Sequence, residues 1–178
     1  MHNGNRKPRG DNKFIGASRR RDRSPRPDLS SGLRRIINEA ADDFDQTGVC
    51  PTHAMVLDAQ GTGVVLLPDC LPDENTKDAF AGVIARAAAD LDAVAVVFLT
   101  EIWMPGENWD GVTAPSQCAD RREALFVSVE TFDTTAAFLW PILRDKAGVR
   151  LGERRSLGAE YEGGRFAGLL VPQGEGLD

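Results

Sequence analysis

The sequence predicts an α+β fold: a mostly antiparallel sheet of about six strands with two helices packed on it, in the order α-β-β-α-β-β-β-β. Three observations lead there. Two segments carry apolar residues at helical spacing, a series of short runs has strand-like composition, and most neighbouring runs are joined by turns too short for a parallel crossover.

The 178 residues suffice for one ordinary domain. Residues 1–27 are rich in Gly, Asn, Arg, Ser and Pro, with only Phe14 and Ile15 to bury, so the composition predicts a disordered tail. Ser24-Pro25-Arg26-Pro27 makes a stiff junction, which sets the single domain at 28–172 and leaves 173–178 to fray.

Ser30 or Ser31 is the expected cap of the first helix. Leu33, Ile36, Ile37, Ala40, Ala41 and Phe44 then form one apolar stripe, and Gly48 supplies the stop. Strands at 52–57 and 63–67 flank Asp58-Ala59-Gln60-Gly61, which has the residues of a hairpin turn. Asp73 is placed to cap the second helix, whose buried face should be Phe80, Val83, Ile84, Ala87 and Leu91.

The third strand, 93–103, is apolar throughout its first half, the mark of a strand covered on both faces. A long loop follows at 104–120, with Pro105, Gly106, Gly111 and Pro115; loops of this length in compact domains are more often functional than not. The fourth strand spans 123–132 and the fifth 136–143, where Pro141 requires an edge or a bulge. A turn at Asp145-Lys146-Ala147-Gly148 leads to a sixth strand, 149–157, with a basic outer face. The apolar segment 165–171 is expected to dock.

Charge is split. Residues 1–27 hold nine bases and two acids, a net of +7, whereas the remainder holds twelve bases and twenty-five acids, a net of −13. A basic arm on an acidic body bears on partners rather than on fold. Arg19, Arg20, Arg21 and Arg23 could neutralise phosphates in a salt-sensitive, sequence-independent way, dock an acidic protein surface, or tether back onto the chain's own acidic body.

Several classes find no support. The longest continuous apolar stretch is 93–99, too short to cross a membrane, and the basic N-terminal residues lack the apolar core of a secretory signal, so a cytoplasmic location is expected. Cys50, Cys70 and Cys118 are too few and too odd in number for a disulfide framework, and buried thiols are the plainer reading. Cys50-x-x-His53 has ligand-like spacing for zinc but lacks a second pair, so no metal and no cofactor is expected. Ser116 stands in no nucleophile elbow, and His2 and His53 are the only histidines. Neither a Walker motif nor a dinucleotide fingerprint is present.

The most distinctive stretch is 100–123. Strand alternation sets Glu101 and Trp103 on one face, and a β3–β4 hairpin would bring Asp120, Arg121, Arg122 and Glu123 near them. Glu101 with Asp120 or Glu123, and His53 nearby, would make an acid cluster for a metal or for general acid–base work, with Trp103 and Trp109 as an apolar wall. The competing reading pairs Glu101 with Arg121 or Arg122 and packs Trp103 under the loop.

Glu-x-Trp at a strand end, Pro115-Ser116, Asp120-Arg121-Arg122-Glu123 and the distant Gly164-Arg165-Phe166 together resemble a group of small uncharacterised bacterial and phage proteins. The resemblance implies bacterial or phage origin and carries over no catalytic residue. The expected function is a non-enzymatic accessory or protein-interaction protein using loop 104–120, with Trp103, Trp109, Ser116, Arg121 and Arg122 as partner-facing residues. The alternatives are a metal-dependent hydrolase centred on Glu101, Asp120 and Glu123, and a nucleic-acid-associated protein bound through its arm.

Overall fold

Apolar residues alternate along both faces of the central strands, so each face needs a cover, and the two helices supply one each. The computed structural model describes residues 29–158 and 164–170. The basic arm, with Arg19, Arg20, Arg21 and Arg23, and residues 171–178 lie outside the described residues.

The chain runs α1 (Leu29–Thr47), β1 (His53–Leu57), β2 (Gly63–Leu66), α2 (Glu74–Asp90), β3 (Ala95–Met104), a 3-10 turn at Pro115–Gln117, β4 (Arg122–Thr131), β5 (Thr135–Asp145), β6 (Gly148–Leu151) and β7 (Arg155–Ser156). The strands stand in the order β2-β1-β3-β4-β5-β6, all neighbours antiparallel, with β7 also against β5. The expected α+β class and element order hold.

On one face lies α1. Leu33, Ile37 and Phe44 bury themselves against Val97 and Leu99 of β3, Leu125 and Val127 of β4, and Trp140 and Ile142 of β5. The sheet curls around this helix far enough that Asp45 accepts the Leu151 N–H of β6 at 2.7 Å. Gly48 ends α1 at φ 72° and donates to the Phe44 carbonyl at 2.7 Å, the left-handed stop that favours glycine. The helix starts at Leu29, so Ser30 and Ser31 lie inside it rather than capping it.

On the other face lies α2. Asp73 accepts the Thr76 N–H at 2.8 Å while Thr76 Oγ1 accepts the Asp73 N–H, a reciprocal box that satisfies two orphan donors. Phe80, Ile84 and Ala88 face the sheet, whereas Val83, expected inside, is exposed. The helix turns its Phe80–Ile84–Ala88 line inward because Val56 and Phe98 meet it there, and Val83 falls beyond the sheet's edge.

The segment 164–170 completes this second layer. Phe166 stacks on Phe98 with ring centres 4.0 Å apart and meets Phe80 edge-on. Arg165 bridges Glu74 and Asp78 of α2. The Arg165 guanidinium, with Lys77, pulls the Glu74 carboxyl down to about 2. Glu130 of β4, only 7% exposed, accepts the Leu169 and Leu170 N–H groups, each at 3.0 Å.

Pro141 lies in an interior strand, so the bulge is the correct half of the expectation. Ile142 faces Leu151 and Leu139 faces Arg155, which sets Trp140 and Pro141 against the three residues 152–154. The sixth strand therefore splits into β6 and β7.

Replacing Glu130 with Gln removes one of two acceptors from buried backbone donors. The expected loss is about 1–3 kcal/mol in denaturant unfolding, with faster amide exchange at Leu169 and Leu170. Unchanged exchange at both amides would refute the tether.

Candidate functional site

The β3–β4 hairpin sets its register through ten paired residues from Ala95↔Thr131 to Met104↔Arg122. Odd-numbered residues of both strands face α1, so Glu101, Trp103 and Glu123 project from one face, with Trp103 directly opposite Glu123. This part of the sheet extends past the C-terminal end of α1. Its side chains are left to one another and to the loop.

Glu101 and Glu123 are indeed brought together, but the cation between them is Arg144 of β5. Its Nε donates to Glu123 Oε2 at 2.5 Å, and its Nη2 lies 3.7 Å from Glu101 Oε2. The expected partners Arg121 and Arg122 are engaged elsewhere. Alternation points Arg122 to the opposite face from Glu123, where it pairs with Glu107 at 2.8 Å. Arg121 lays its guanidinium 4.5 Å from the centre of the Trp103 ring. Trp103 is therefore covered by an arginine rather than packed under the loop.

The second oxygen of Glu101 reaches back to α1's exit and accepts the Cys50 N–H at 2.8 Å. Burial, then the carboxylates of Glu101 and Asp43, push the Cys50 thiol up to about 11. A thiol so placed is protonated at neutral pH and is a poor nucleophile and a poor metal ligand. His53 Nδ1 meets the Pro51 carbonyl at 2.7 Å, and Cys50 Sγ points to the same carbonyl. Cys70 is exposed before α2, and Cys118 is buried in the loop beside the Thr113 and Ala114 carbonyls. The three cysteines do not converge. Among the described residues, no three His, Cys, Asp or Glu side chains are placed to hold a metal ion.

Asp120 stands apart from the Arg144 pair. Its carboxylate sits where a Cβ at residue 106 would fall, within 2.0 Å, so glycine at 106 is what lets the two ends of the loop close. Between them the loop braces itself. Asp110 accepts from the Val112 N–H at 2.9 Å, the Thr113 N–H at 2.7 Å and the Thr113 hydroxyl at 2.6 Å. These bonds hold the Asp110 carboxyl at about 2. Trp109 donates its indole N–H to the Thr113 carbonyl at 2.6 Å and leaves its ring 45% exposed. Val112 stands at the tip, 88% exposed. Ser116 is exposed on the 3-10 turn.

Along the hairpin's outer side, Trp103, Arg121, Glu123, Pro141, Leu143 and Arg144 border an open groove of about 310 Å³. Arg144 and Asp110 are the residues that the sequence reading missed. Arg144 lay one position past the expected end of the fifth strand, and its parity with Trp140 and Ile142 was the available signal. A scan of protein-family models, a search of curated proteins and a search of solved structures each returned no match. The motif pieces of the sequence resemblance divide between faces: Glu101, Trp103 and Glu123 lie on the α1 side, and Phe166 on the α2 side.

Two outcomes follow from the geometry. Arg144→Ala leaves two facing carboxylates and should lower stability by about 1 kcal/mol, an effect that Glu123→Gln in the same chain partly offsets. A double-mutant cycle measured by denaturant unfolding checks it. For Cys50, the native thiol binds its proton more tightly than the unfolded thiol, whose ordinary value is 9.0. Stability should therefore fall as pH rises from about 9 to about 11, and Cys50→Ala should flatten that slope. Equal slopes in the two proteins would contradict the assignment.

Proposed function

We propose that the chain is a non-enzymatic interaction protein that holds a partner with the loop-bearing end of the β3–β4 hairpin. One observation carries this reading. The loop is braced by its own hydrogen bonds, so Trp109 and Val112 are exposed on a pre-ordered backbone, and the two ends of the same loop carry the Arg121–Trp103 stack. Trp and Arg dominate interface energetics, and pre-ordering lowers the entropy lost on binding.

The chemistry nearby agrees. Glu101 and Glu123 share one guanidinium and are committed to it, and the Cys50 thiol is held protonated. A hydrolase centred on Glu101, Asp120 and Glu123 would need all three carboxylates turned to one point, and Asp120 faces Gly106.

A photo-reactive amino acid at position 112, introduced in the native host, tests the reading. A discrete cross-linked product is expected, reduced at least roughly tenfold by Trp109→Ala, with thermal stability retained. Cross-linking that is diffuse, or indifferent to Trp109, would remove the loop from the partner surface.

A further inference from the structure

The two edges of the sheet are finished differently. At the β6 edge, Asp45 of α1 occupies the outward Leu151 N–H, and the bulge at 152–154 breaks the ladder. At the β2 edge, no strand among the described residues pairs with the outer side. Gly63, Val64, Val65 and Leu66 include no charge and no proline, the usual protections of an exposed edge.

The turn that leads into β2 fixes which backbone groups point outward. The Thr62 carbonyl accepts the Asp58 N–H at 2.8 Å and so points toward β1, which turns the Gly63 N–H of the same peptide unit away from it. Alternation then aims the N–H and C=O groups of Gly63, Val65 and Leu67 outward, and those of Val64 and Leu66 at β1. Val65 stands opposite Met55 on the α1 side of the sheet, whereas Val64 and Leu66 stand opposite Val56 and Ala54 on the α2 side. Val64, Val65 and Leu67 are 38%, 56% and 65% exposed, and the apolar surface runs on through an open groove to Val83 of α2.

We propose that this edge pairs with the same edge of a second copy, antiparallel, about a two-fold axis at Val65. Such an interface requires a strand that is complementary to its own reverse. Residues 63–67 meet that requirement. Val65 exchanges both backbone bonds with the partner subunit's Val65, and Gly63 does so with the partner subunit's Leu67, which uses every outward amide of the segment. On the α1 side the two Val65 side chains meet, and Leu67 lies over the partner's Gly63, where no side chain opposes it. On the α2 side Val64 faces the partner's Leu66. Pro68 then ends the ladder.

Charge favours a like copy over a charged partner. Residues 59–68 carry no charge, so no like charges stand opposite one another in the ladder, and Asp69 lies past Pro68. The other neighbouring carboxylates are committed within the fold: Asp58 accepts the Gln60 and Thr62 N–H groups, Asp73 caps α2, and Glu74 is met by Lys77 and Arg165. Because the β6 edge is closed, association stops at two copies and does not run on into a fibre. A standard interface covers about 800 Å² per partner and this short edge supplies less, so the dimer is weak and concentration-dependent. The inference does not depend on the loop's role.

Sedimentation velocity and amide hydrogen exchange on the full chain, from about 5 μM to about 500 μM, test it. The parent's weight-average mass should rise from that of one chain toward that of two. Over the same range the Gly63, Val65 and Leu67 amides should slow at least roughly threefold. Val65→Lys sets two ammonium groups against each other at the axis and should keep the chain monomeric throughout, with unchanged exchange at the β3 amides reporting an intact fold. A parent that stays monomeric at the highest concentration would overturn the proposal. So would a dimer that Val65→Lys leaves intact, or protection of these amides that does not vary with concentration, which would assign the edge to a segment of the same chain.

Discussion

Burial of β3 on both faces is the constraint from which the rest of the architecture follows. Ala95, Val97 and Leu99 face α1 while Val96 and Phe98 face α2, and all five are essentially inaccessible to water. A strand apolar on both sides cannot stand at an edge or face solvent. It takes β1 and β4 as neighbours through hydrogen bonds and one helix above and one below through side chains. Each flanking strand inherits the same two-sided demand in weaker form. The C-terminal segment meets it for β4, where Glu130 on the α2 side is matched to the Leu169 and Leu170 amides. A buried carboxylate with two backbone donors is tolerable; the same carboxylate without them would carry the whole desolvation cost.

The hairpin's far end shows what happens where that cover runs out. Beyond Leu99 the helix α1 has ended, and the same face of β3 turns from Leu99 to Glu101 and Trp103. Carboxylates there need a cation, and Arg144, two residues beyond Ile142 on the same face of β5, reaches both. The resulting ladder across β3, β4 and β5 fixes side-chain directions at the root of the loop. Partial exposure keeps its contribution to stability modest. Its larger effect is geometric, since it leaves Arg121 to stack on Trp103 and so sets the loop's aromatic flank.

Most of the fold was legible because periodicity reports burial directly. The stripe from Leu33 to Phe44, the Asp73 cap and the continuous run ending at Leu99 each gave the correct element, and the long loop fell between the correct strands. The misses at Arg144 and Val83 share a cause: each depends on which element lies beside which, and that is not a local property. Arg144 cannot be matched to Glu101 and Glu123 without the β4–β5 register, and the two backbone donors that meet Glu130 come into view only once 164–170 is placed beside β4. Val83 was assigned inward from helical spacing alone, yet the sheet ends before it reaches that side of α2. The loop's internal bracing was partly visible, because Asp110 followed by Thr113 is a spacing at which a carboxylate can bond nearby backbone.

The charge distribution acquires a structural meaning once the sheet order is known. Seven of the domain's twelve bases lie between Arg121 and Arg155, which places them around β4 to β7. The segment from the β1–β2 turn to the start of α2, residues 58–76, has acids and no base of its own, and Arg165 and Lys77 reach Glu74 from outside it. Averaging to a net of −6 conceals this gradient across the sheet. The basic side ends at a strand whose outward amide is met by Asp45, so charge and hydrogen bonding are both satisfied there from within the domain. On the acidic side the outer ladder of β2 has no partner strand among the described residues, whereas Glu74 at the start of α2 is met by Lys77 and Arg165. The open ladder therefore stands on the side of the sheet away from most of the domain's bases.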